Sequence, residues 1–68
     1  MIAYKVYVDV WTSLRDDYYT EEYNGIAYGN KGTADIVRAD AERECKDNPS
    51  IWGAYVKEVD VPECEVFI

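Results

Sequence analysis

The sequence predicts an α+β domain: a two-layer sandwich of order β-β-α-β(-β), with a mainly antiparallel sheet and one helix packed on one face. Three observations carry this reading. Residues 2–11 alternate apolar and polar with period two, as a half-buried strand does. Residues 34–46 set Ala34, Val37, Ala41 and Cys45 at spacings of a helical face,. Residues 51–59 return to strand composition, and two strands, a crossing helix and a returning strand make a helix-on-sheet sandwich.

In the first strand Ile2, Tyr4, Val6, Val8 and Val10 share the face expected to turn inward. Ala3, Lys5, Tyr7, Asp9 and Trp11 share the other face. Thr12 to Asp17 reads as a turn, because Ser13, Arg15, Asp16 and Asp17 are poor strand residues,. Tyr18 to Tyr23 returns as the second arm of a hairpin,. Asn24-Gly25 then admits two geometries. One is a tight turn into Ile26-Ala27-Tyr28,. The other is a bulge in a single bent strand with Gly25 at positive φ, which the shortness of the hairpin arms favours.

Gly29-Asn30-Lys31-Gly32 reads as a loop and Thr33 as the helix N-cap, with Asp35 in the first turn,. The helix is expected from Ala34 to Lys46, with Asp35–Arg38 and Glu42–Lys46 as ion pairs,. Asp47-Asn48-Pro49 ends it,. In the third strand Trp52, Ala54 and Val56 share one face, and Ile51, Tyr55, Lys57 and Val59 the other. Lys57 prefers water, so Ala54 and Val56 are expected to face the helix. Pro62 confines Val61–Ile68 to an edge strand or a tail,, and the alternation of Cys64, Val66 and Ile68 favours the edge strand. With one helix, the sheet face bearing Tyr7, Trp11 and Tyr55 is expected to stand uncovered.

The 68 residues are expected to form a single domain over 1–68 and carry 14 acidic against 7 basic side chains, a net charge of -7. Aromatic residues make up 15% of the chain, which separates it from disordered acidic tails. No apolar run approaches the roughly 18 residues of a membrane span, and anionic lipid repels this charge. The opening Met1-Ile2-Ala3-Tyr4-Lys5 reads as a strand rather than a signal peptide,. The expected location is the cytoplasm, where Cys45 and Cys64 stay as free thiols, although one disulfide between them is geometrically open.

The chain has no histidine, the residue most used for proton transfer near neutral pH. Neither cysteine therefore has a histidine base, and Cys45 reads as a small core residue. Glu21 and Glu22, as strand neighbours, point to opposite faces and do not converge. Gly29-Asn30-Lys31-Gly32-Thr33 departs from the phosphate-loop spacing,. Zinc and calcium ligand patterns are absent from the sequence. No enzyme activity, no cofactor, no metal and no direct nucleic-acid contact is expected, since the basic residues are scattered.

The expected role is a small acidic non-catalytic interaction module with a protein partner or a second copy of itself. Asp16, Asp17, Glu21 and Glu22 form one acidic region, interleaved with Tyr18, Tyr19 and Tyr23. Glu58, Asp60, Glu63 and Glu65 form another, and the two are candidates to flank one edge or end of the sheet. Candidate partner-binding residues are these first carboxylates and tyrosines together with Tyr7, Trp11 and Tyr55. Acidic groups steer basic partners, and aromatic rings supply binding energy. The alternative role is a phosphate-mimicking inhibitor of a nucleic-acid-binding protein. That chemistry is similar to the small decoy proteins phages make against host DNA-binding or defence systems, a likeness of size and charge that rests on no motif. A small enzyme or enzyme subunit is the third class.

Overall fold

The computed structural model describes residues 1–48 and 50–67. Its elements run β1 (Ile2–Thr12), β2 (Asp17–Glu22), β3 (Ala27–Tyr28), α1 (Lys31–Asp47), β4 (Ile51–Asp60), a 3-10 turn (Glu63–Glu65) and β5 (Val66–Phe67). The α+β sandwich read from the sequence is the fold observed, with one helix on a mixed sheet.

β1 is the central strand and serves neighbours on both of its edges. β4 pairs antiparallel along one edge, from Ile2 opposite Asp60 to Val10 opposite Ile51. β2 and β3 share the other edge, with Tyr7 opposite Glu22 and Tyr4 opposite Tyr28. They are one strand interrupted at 23–26, so Asn24-Gly25 is a break in a bent strand and not a second hairpin. Gly25 takes φ 73° there, a conformation open to glycine at little cost. Tyr23 N–H still bonds Val6 O at 2.8 Å across the break. β5 is a two-residue strand beside β3 and parallel to it. The edge-strand expectation for the last segment thus holds for Val66 and Phe67, while Ile68 lies outside the described residues.

The inward face of β1 is as expected at its centre. Val6 and Val8 are buried with Tyr28, Ala34 and Ala41, and Tyr4, Val10, Val37, Ile51, Ala54 and Val56 pack around them. Ile2 departs from this and is exposed. Alanines on the packing stripe let α1 lie close over β4, β1 and β3,. Cys45 completes the stripe, its thiol donating to Ala41 O.

The helix begins three residues earlier than expected. Asn30, not Thr33, is its N-cap, and its side chain accepts from Gly32 N–H at 2.7 Å. A Cβ at Gly32 would stand 3.0 Å from Asn30 Oδ1, so the glycine that reads as loop makes room for the cap. Shifting the start leaves no acid in the first turn and re-sorts the ion pairs into Lys31–Asp35, Arg38–Glu42 and Asp40–Arg43. Asn48 closes the helix with its N–H on Glu44 O; Pro49, read as the stop, lies outside the described residues.

β4 contains the second irregularity. Asp9 pairs with Gly53 but Val10 pairs with Ile51, so Trp52 is the extra residue of a bulge,. The bulge turns Trp52 out of the Ala54–Val56 face and puts Ile51 in the core instead. Trp52 was expected on the helix side; it stands 67% exposed on the other.

Candidate functional site

The face of the sheet away from the helix is the candidate site. Register alternation from Tyr7 places Lys5, Asp9 and Trp11 there from β1. Glu22, Thr20 and Tyr18 join them from β2, and Lys57, Tyr55 and Gly53 from β4. Aromatic residues opposite one another in a sheet stack, and they do so here in two groups. Tyr7 and Tyr55 stack with centroids 5.9 Å apart and 21° between planes, with Lys57 Nζ 6.0 Å from the Tyr7 centroid. Trp11, Tyr18 and Trp52 form a triad with centroid separations of 6.4, 5.8 and 6.1 Å. Tyr18 from β2 and Trp52 from β4 lean together across the central Trp11.

Trp52, Tyr18 and Tyr55 remain 67%, 54% and 38% exposed. At roughly 200 Å² per ring this leaves about 300 Å² of aromatic surface in water, comparable to the largest apolar patch of an ordinary monomer, a patch that is often functional. Gly53 adds a gap beside them, with nothing within 4 Å of the position a Cβ would take.

The same face is charge-balanced. Lys5 bonds Glu22 at 2.7 Å, and this bond holds the Lys5 ammonium above its ordinary pKa against the opposing effect of burial. Thr20 donates to Asp9 at 2.8 Å. Among the strand residues of this face Lys5 and Lys57 match Asp9 and Glu22; Glu65 adds one negative charge beside Lys5 at the Ala3 end, and the rest of the surplus of -7 lies elsewhere on the molecule.

The face is not wholly open, contrary to expectation. Ala3 and Ala27, which alternation puts on it, are 0% and 4% exposed. Val61 and Glu65 close over that end, lining with Lys5, Gly25 and Ala27 a cavity of about 310 Å³. The chain after β4 folds back to cover what the single helix does not, anchored by Val61 N–H on Met1 O. The uncovered part runs from Tyr7 to Trp11.

Of the residues singled out from sequence, Tyr7, Trp11, Tyr18 and Tyr55 come together here, with Glu22 at the rim. Tyr19 and Glu21 lie on the opposite face of β2, opposite Val10 and Val8. Tyr19 lines with Thr12, Leu14 and Arg15 a cavity of about 410 Å³ near the hairpin turn. Tyr23 packs on the core and donates to Glu44 Oε1 at 2.9 Å, which raises its phenol pKa above the usual 10.0. Asp16 sits in the turn at φ 51°, and Asp17 accepts from the amide of Tyr18. The two acidic regions do not flank one end. Asp17 lies opposite Thr12 and Asp60 opposite Ile2, at the two ends of an eleven-residue strand about 33 Å long.

Sequence reading missed Trp52 in the site, since only the bulge brings it there, and Leu14, 96% exposed at the hairpin tip. Both cysteines are free. Among the described residues no three of His, Cys, Asp and Glu are grouped to hold a metal, and no helix is long and apolar enough to cross a membrane. No protein-family model matches the chain, and neither a curated protein nor a solved structure matches it.

Proposed function

We propose that the protein is a non-catalytic interaction module whose contact surface is the aromatic face of its sheet. The observation that carries this is a locally neutral platform of stacked rings on a chain of net charge -7. Exposed aromatic area that remains solvated is unfavourable, and a protein partner removes it from water. Ring stacking fixes the side chains before contact, so little rotamer entropy is lost on binding. The acidic ends of the molecule flank this platform and discourage partners of like charge.

The test is capture from native lysate by tagged wild type and by Tyr18→Ala/Trp52→Ala, at low and high salt. Both rings are largely exposed, so the double variant is expected to fold, losing about 1–2 kcal/mol from the triad. A partner held at both salt concentrations by wild type and lost by the variant supports the platform. Equal recovery by both proteins removes it. Salt-sensitive recovery of a nucleic-acid-binding protein, lost on neutralising Asp16, Asp17 and Glu21, would instead make the protein a phosphate-mimicking decoy.

A further inference from the structure

The outer edge of β4 is a second, independent feature. In an antiparallel pair a residue's N–H and C=O turn toward the same neighbour, and alternate residues turn to alternate sides. Val6 O bonds Tyr23 on the β2–β3 side, and Trp11 N–H bonds Ser50 O on the β4 side. Odd residues of β1 thus serve β4. Their opposites Gly53, Tyr55, Lys57 and Val59 turn their backbone groups to β1, and Ala54, Val56 and Glu58 turn theirs outward. Among the described residues no strand pairs with that edge.

Edge strands are ordinarily blunted by proline, shortness or charge. β2 is six residues long and carries Asp17, Glu21 and Glu22. β4 is ten residues long, has no proline, and gathers its charges, Lys57, Glu58 and Asp60, at one end, leaving Ile51 to Val56 uncharged. Its bulge lies at the Ile51 end and leaves Gly53 to Val59 regular.

We propose that a second copy of this chain pairs antiparallel along β4, with the two-fold axis at Val56. Outward-turned residues must meet outward-turned residues, which restricts the register to steps of two. Centring on Val56 sets Ala54 opposite Glu58 of the second copy and Tyr55 opposite its Lys57. No like charges face one another. The ammonium already over the Tyr7 ring then lies beside a second ring, a contact cations favour. Moving the register one step toward Asp60 sets Lys57 against itself. The axis stands normal to the sheet, so both helices lie on one side and both aromatic faces on the other.

Glu58→Pro tests this, because that N–H has no partner among the described residues and the side chain is exposed. Light scattering of wild type is expected to give twice the chain mass. The variant is expected to self-associate at least about tenfold more weakly, having lost two N–H···O bonds. Added salt is expected to strengthen the wild-type dimer, since it screens two chains of charge -7,. Amide exchange on the wild type reads the edge without mutation. Ala54, Val56 and Glu58 should slow as concentration rises, while Tyr55 and Lys57 stay slow throughout. A single-chain mass at millimolar concentration overturns the proposal. So does a dimer in which Ala54, Val56 and Glu58 exchange as fast as in dilute solution.

Discussion

Tyr23 does two jobs for the fold with one side chain. Its ring packs on the core and its hydroxyl ties the strand break to Glu44 on the helix. Donation to a carboxylate keeps the phenol protonated above the usual 10.0. In the unfolded chain the same group ionises first, so its contribution is complete below pH 10 and is lost as pH rises through the folded value. Lys5 behaves alike from 10.5 upward, because Glu22 favours its charged form in the folded state. Stability is therefore expected to fall in alkali. Tyr23→Phe should destabilise by about 0.5–1 kcal/mol at pH 7, the pair being open to water. Its urea midpoint should also decline less than that of wild type between pH 9 and 11. Little of this pairing was legible beforehand. Tyr23 is one of seven tyrosines, and what sets it apart is its place opposite Val6 on the helix side of the sheet, which needs the register of β2 against β1. Ala41 was the opposite case. At 0% exposed it stands where the spacing from Ala34 put it, because only small residues at helical intervals let a helix lie so close to a sheet.

Among the elements, the regular ones could be read, as could the strand break at Asn24-Gly25 with Gly25 at positive φ, while the bulge at Trp52 could not. β1 followed from alternation and α1 from its stripe, since each period is set by backbone geometry that side chains must obey. The two bulges follow from pairing, which depends on residues far apart in the chain. Asn24-Gly25 signals a break, yet whether it reverses the strand depends on where β1 offers bonds. Trp52 carries no local mark of its displacement. A strict alternation would bury it, and only the register against Val10 turns it outward. Gly25 is where the first bulge is most sensitive. An added Cβ meets Glu22 Oε2 at an ordinary 3.7 Å, but φ 73° is strained for any L side chain. Gly25→Ala should cost about 1–2 kcal/mol, read as a lower urea midpoint with an unchanged slope. The altered slope of a rearranged β3 would contradict that account.

For the molecule as a whole, charge and shape divide the labour. Surplus carboxylates lie in the hairpin turn and in the segment after β4, and the pairing sets Asp17 and Asp60 at opposite ends of β1. The middle of the sheet face stays neutral. Composition alone gave the net charge but not this division, which needs the antiparallel pairing that sends Asp17 and Asp60 to opposite ends. Covering of Ala3 and Ala27 was equally hidden, because a helix count says nothing of a tail folding back. The β1–β2 hairpin has a further consequence. Its turn, with Leu14 almost wholly exposed and Arg15 beside it, lies outside the core. β1 is gripped on both edges, by β4 on one side and β2 with β3 on the other. Cutting the chain after Arg15 would leave each fragment's bonds in place. Trypsin is expected to cleave there first, giving residues 1–15 and 16–68 that stay associated and elute together under native conditions. Separate elution would mean that continuity through the turn holds the sheet. A molecule that survives this cut can be supplied as two halves, and reassembly of the halves would itself report on the fold.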